Sequence, residues 1–196
     1  MDLVKCLQEL SEKQSIEEAL EKRVCSAFIK HLNDKNLNVQ TNAVRSIQLT
    51  AGILKDNNLI MIAETLANMV TDPNGTKEVR DVYSLAIRST ITQLNNRAAS
   101  KLIRSVFPKL QAGLSRSDDI TEECLEIIAE IFRRFAAVFE SNKNLINKDQ
   151  LVSDIGRLLH HRNKAVSKKA SQCLGLFAVI LSQRQLDNLV KDLRAR

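Results

Sequence analysis

The chain has 196 residues, enough for one sizeable domain with a real core. An apolar content of 44% with 27% charged residues is a soluble globular composition, while 5 Gly, 2 Pro, no Trp, 1 Tyr and 6 Phe speak against a sheet-rich fold. No stretch approaches the roughly 18 apolar residues of a membrane span, the N-terminus "MDLVKCLQEL" lacks the build of a signal peptide, and the net charge of +6 suits an electronegative partner.

In chain order, residues 2–10 read as a lone amphipathic helix. An acidic stretch follows, with Glu9, Glu12, Glu17, Glu18 and Glu21 against the single Lys13. Residues 17–32 form an apolar-periodic helix ending at His31, and "NDKN" at 33–36 breaks it. "NLNVQTNAVRSIQLTAGIL", 36–54, is the next helix. The same pair then recurs. Helix 59–70, the turn "TDPNG" and helix 77–94 come first, then helix 98–114, "SRSDD" and a helix from Asp118 through Phe135. Last come helix 148–159, "HHRNK" and helix 164–181. Asp72-Pro73-Asn74-Gly75 is strong turn chemistry, because Pro sets φ and Gly or Asn tolerates positive φ. Residues 185–196 begin one more helix.

The second helices align on Val39, Val79, Ile120 and Val166, spaced 40, 41 and 46 residues apart. Offsets 0, 4, 8, 12 and 15 are apolar in all four, which is one stripe of a 3.6-residue helix. Offset 2 (Thr41, Asp81, Glu122, Lys168) and offset 9 (Gln48, Arg88, Ala129, Gly175) change type and read as surface. A unit of two helices repeating at about 40 residues is the pattern of HEAT or armadillo repeats, and two helices favour HEAT. The expected fold is an all-α HEAT-repeat solenoid, a single domain over 1–196. Within it, 1–14 is a partial repeat, 15–55, 56–96, 97–140 and 141–183 are repeats, and 184–196 starts a further one. Incomplete units at both ends suggest a fragment, or a chain completed by a partner.

Chemistry is scarce in the sequence. Cys6, Cys25, Cys124 and Cys173 form no CxxC pair and read as free thiols of a reducing, cytosolic or nuclear compartment. His160 and His161 have no Cys or acid at ligand spacing, so a surface turn is expected and no metal or cofactor. Glu122, Glu123, Glu126 and Glu130 read as a solvated acidic helix start favoured by the macrodipole, not as an acid–base pair. There is no phosphate loop, nucleophile elbow or zinc signature, so the chain is expected to be no enzyme, with no catalytic residue.

Residues 155–186 contain no acid but carry Arg157, Arg162, Lys164, Lys168, Lys169 and Arg184. The bland reading of the run 157–169 is a solvated ridge. The functional reading is an electrostatic docking site for an acidic protein surface, with Arg157, Arg162, Lys164, Lys168 and Lys169 as its contacts. A basic rod also grips phosphates, but stacking on bases needs surface aromatics, and the aromatics here fall on or near core positions. Nucleic acid is therefore not the expected partner. Other scaffolds of this architecture, transport adaptors or phosphatase subunits, remain alternatives.

"HLNDKNLNVQTNAVRSI", with Leu32 through Asn36, Val39-Gln40 and Ala43-Val44-Arg45, resembles the N-terminal region of the Cand family of cullin-associated exchange factors. The resemblance continues through "LANMVTDPNGTKEVRDVYSLAIRSTITQL", "ECLEIIAEIFRRF" and "LLHHRNKAVSKKASQCLGLFAVIL". It implies a scaffold that binds the unmodified cullin–RING ubiquitin ligase near the cullin C-terminal domain and RING subunit. It also implies that the adaptor-displacing repeats lie elsewhere, with a separate C-terminal Cand half as a candidate partner. No short ligand motif transfers with it.

Overall fold

A computed structural model describes residues 18–195; the lone helix expected over 2–10, and Cys6, lie outside them. The chain is an all-α helical-repeat solenoid, with no strand among the described residues. It divides into two compact units, Met1–Ala98 and Ala99–Arg196.

Unit 1 contains α1 (Glu18–Leu32), α2 (Leu37–Thr50), α3 (Asp56–Val70) and α4 (Lys77–Gln93), with a 3-10 turn at Ala51–Ile53 extending α2. The first helices of each pair pack together (α1 on α3), as do the second helices (α2 on α4). Asn36 caps α2, its side-chain oxygen accepting from the Asn38 N–H at 2.9 Å. The Asp72–Gly75 turn closes with a Gly75 N–H to Asp72 carbonyl bond of 3.3 Å, and the buried Arg80 donates to the same carbonyl at 2.8 Å. The stripe residues Ala43, Ile47, Ala51 and Leu54 on one side, and Tyr83, Ile87, Ile91 and Leu94 on the other, are all buried. Tyr83 reaches back to donate its hydroxyl to the Leu32 carbonyl at 3.0 Å, tying α4 to the end of α1.

Unit 2 takes in most of α5 (Asn96–Gly113), then α6 (Asp118–Ser141), α7 (Lys148–Leu158), α8 (Lys164–Ala178) and α9 (Gln183–Ala195). α5 runs through Pro108 on its exposed side, where the missing N–H removes one helical bond. α6 is the longest of the described helices and changes course at Phe135, whose φ of −122° and ψ of 27° lie outside the helical region. Its packing partner is α8. The centre of the core is aromatic. Phe132 stacks on Phe177 of α8 at 4.7 Å between ring centroids, meets Phe139 edge-on at 5.4 Å and lies 6.0 Å from Phe107 of α5.

Candidate functional site

The basic run starts in the last turn of α7. Arg157 is exposed, and its guanidinium donates to Asp154 at 2.7 Å, one turn earlier. Asp154 also accepts from Gln111 at 2.7 Å and Gln150 at 3.0 Å, so Arg157 completes a local network. Asn163 then caps α8, accepting from the Ala165 N–H at 2.9 Å. Arg162, Lys164 and Lys168 stand exposed beside that helix start, with no ion pair among the described residues. Lys169, one residue on, points the other way. Its ammonium lies 2.7 Å from Glu126 and 3.4 Å from Glu122 of α6. Burial pushes the Lys169 pKa down, but the Glu126 hydrogen bond and the charges of Glu126, Glu123 and Glu122 outweigh it and hold the pKa above the ordinary value.

These contacts correct the expectation of a solvated acidic face on α6. Glu122 is 8% exposed, with Asn163 and Lys169 of the α8 start on its carboxylate, and Glu123 is 6% exposed. Asn163 donates its side-chain amide to Asp118 at 3.3 Å and to Glu122 at 3.4 Å, so the cap of α8 is anchored on the first turn of α6. His161 joins the same corner: its Nε2 is 3.6 Å from an Asp118 oxygen, and its Nδ1 accepts from the Asn163 N–H at 3.2 Å. Forty-three residues of sequence hide that pairing from any spacing rule. The fold brings the acid and the histidine together across two helix starts.

The consequence is electrostatic. Residues 1–150 carry as many Lys and Arg as Asp and Glu, so the whole +6 resides in 151–196. Within unit 2, six of the acids sit on α6 between Asp118 and Glu130, and none of the six is fully exposed. The solvent-facing side of the α7–α8 corner is left cationic.

The described thiols offer no nucleophile. Cys25, Cys124 and Cys173 are buried, and burial pushes Cys25 up to about 11 and Cys173 up to about 12. Among the described residues, no group of three or more His, Cys, Asp or Glu is arranged to hold a metal, and no helix is long and apolar enough to cross a membrane. A cleft of about 890 Å³ lies between the end of α6 and the starts of α7 and α9. Lys148 at its edge is already committed, donating to the Ile180 carbonyl at 2.5 Å.

The curated relatives decide the family resemblance. The chain is 23% identical to cullin-associated NEDD8-dissociated protein 1 of Dictyostelium discoideum over 81% of its length, and 23% identical to that of Arabidopsis thaliana over 83%. The Drosophila melanogaster protein is 29% identical over 61%. The chain is Cand-like. It spans only about a tenth of those Cand proteins, 13% of the first two and 10% of the third. No family model matches it. Two solved structures share the fold of this Cand-like segment. One is an engineered protein (TM-score 0.55, 17% identity, 80% of this chain and 63% of that one). The other is a computationally designed armadillo repeat protein for modular peptide recognition (TM-score 0.53, 21% identity, 78% and 63%).

Proposed function

We propose that the chain is a non-enzymatic interaction scaffold that binds an unmodified cullin–RING ubiquitin ligase near the cullin C-terminal domain and RING subunit, and so regulates ligase assembly in the cytoplasm or nucleus. The observation that carries this reading is similarity over about four-fifths of the chain to proteins named for their association with cullins. The cationic α7–α8 corner supports a docking role, with Arg162, Lys164 and Lys168 outward, Arg157 beside them and Lys169 holding the corner in shape. Tyr83 and all six phenylalanines are buried, which leaves no described aromatic platform for nucleic-acid bases.

The test is a pull-down of the purified chain against an unmodified cullin–RING complex and its NEDD8-modified form, with and without a separately expressed C-terminal Cand half. Capture of the unmodified form alone supports the proposal, and a requirement for the second half makes that half a partner. Equal capture of both forms, or capture of neither in any combination, overturns it in favour of a scaffold for another partner.

A further inference from the structure

The packing of α6 against α8 shows what one face of α8 is shaped to receive. On α6, Asp118, Glu122, Glu126, Ala129 and Arg133 form one stripe, at steps of four, four, three and four residues. Its first three members take the incoming α8: Asp118 and Glu122 bind the cap residue Asn163, and Glu122 and Glu126 bind Lys169. The same stripe recurs 46 residues later, the repeat spacing at this point, as Lys164, Lys168, Gln172, Gly175 and Val179. All five are exposed, Val179 to 67%. A Cβ built on Gly175 meets nothing within 4 Å, so the surface is open there. In unit 1 two of the five corresponding positions, Gln48 and Gly52, meet the next second helix, while Leu37, Thr41 and Arg45 stay exposed. Gln48 donates to Ser89 of α4 at 3.4 Å, and a Cβ on Gly52 would lie 3.5 Å from the Gln93 side chain.

We propose that this stripe of α8 is a docking face for a partner helix whose charges are the reverse of those α8 brings to α6. Where α6 offers carboxylates to an amide cap and a lysine, α8 offers Lys164 and Lys168. The complementary helix therefore carries a carboxylate at its N-cap, between Lys164 and Lys168, and a second at its sixth helical position, beside Lys168 and Gln172. Asp at the N-cap also suits the helix itself, because it satisfies a first-turn N–H. Apolar side chains of the same helix cover Val179. The inference rests on the reading of the basic run as a protein-docking site, and on nothing about which protein docks.

The test uses a synthetic peptide that keeps the apolar pattern of α8, with Asp at the cap, Glu at the sixth helical position and Gln for the remaining lysines. A control peptide has Lys at both designed positions. In fluorescence anisotropy the wild-type chain is expected to prefer the acidic peptide by about tenfold, worth about 1.4 kcal/mol. Lys164→Glu with Lys168→Glu is expected to reverse that preference. Both positions are exposed, so circular dichroism should show the doubly substituted chain folded as before. Equal affinity for the two peptides, no binding of either, or a preference that survives the double substitution overturns the proposal. So does tighter binding of a short DNA duplex that the same substitutions abolish, because the stripe would then be a phosphate site. The cullin–RING pull-down reads a different partner and fails independently of this titration.

Discussion

Glu21 shows how a single acid changes meaning on folding. In the sequence it belongs to the acidic stretch 9–21, yet in the structure it is 1% exposed and accepts from the Lys55 N–H at 2.5 Å and the Asn58 amide at 2.8 Å. It therefore satisfies the start of α3 from the neighbouring α1. Asp56 does the same one repeat on, accepting from the backbone and side chain of Asn95 at 3.2 to 3.3 Å. No pattern in the sequence separates such an acid from a solvated one, because its partner lies 34 residues away. Glu21→Ala leaves the Lys55 N–H and the Asn58 amide without their buried acceptor and is expected to destabilise the fold by about 2 kcal/mol, read as a lower urea midpoint. An unchanged midpoint would place Glu21 in water. Cys25, Cys124 and Cys173, by contrast, were legible, since isolated Cys within an apolar stripe packs as a small hydrophobe. With thiol pKa values raised to about 11 and 12 by burial, Cys25 and Cys173 are expected to resist iodoacetamide at pH 8 in the native chain and to react readily in urea, as followed by peptide mass spectrometry.

At the scale of elements, the 3.6-residue stripe located each second helix because core positions repeat whatever the surface does. Ile120, Cys124, Ile128, Phe132 and Phe135 are all buried as their offsets require. The far end of α6 was less legible. The helix continues past Phe135 to Ser141, since Phe139 has its own place in the aromatic cluster and the turn residues Asn142 and Asn144 come only afterwards. Phe132 touches three other rings, so Phe132→Ala is expected to cost about 4 kcal/mol, measurable by denaturant unfolding. Lys169 and Lys168 are neighbours in sequence with opposite roles. Lys169→Met takes the ammonium away from Glu122 and Glu126 and is expected to cost about 2 kcal/mol, less than for a fully buried pair. Lys168→Met should change stability by no more than about 0.5 kcal/mol. The sign with pH follows from the raised Lys169 pKa. Its contribution is complete below the unfolded lysine pKa of about 10.5 and is lost as pH rises through the higher folded value. The stability difference between wild type and Lys169→Met should therefore hold through neutrality and narrow in alkali, and a narrowing near neutrality would reject the ion pair as its source.

For the whole molecule, periodicity revealed the repeat architecture, while the family resemblance came from the short patches around Leu32–Arg45 and Leu66–Leu94. The charge asymmetry was visible in the sequence, but its strength at the surface was not. Folding turns Asp118, Glu122 and Glu126 of α6 toward α8 and leaves Arg162, Lys164 and Lys168 outward, so the exposed side of the α7–α8 corner is cationic. Such a field acts before contact, raising the encounter rate with an acidic partner and fading with salt over a Debye length of about 8 Å at physiological ionic strength. Replacing Arg157, Arg162, Lys164 and Lys168 with Ser, and keeping Lys169 so that the corner stays folded, is expected to slow association with an unmodified cullin–RING complex about tenfold at low salt. It should also flatten the dependence of the on-rate on ionic strength, as stopped-flow or biosensor traces would show. On-rates that match the wild type across the salt series would mean that the ridge does not steer, and that whatever affinity exists comes from short-range contacts elsewhere on the solenoid.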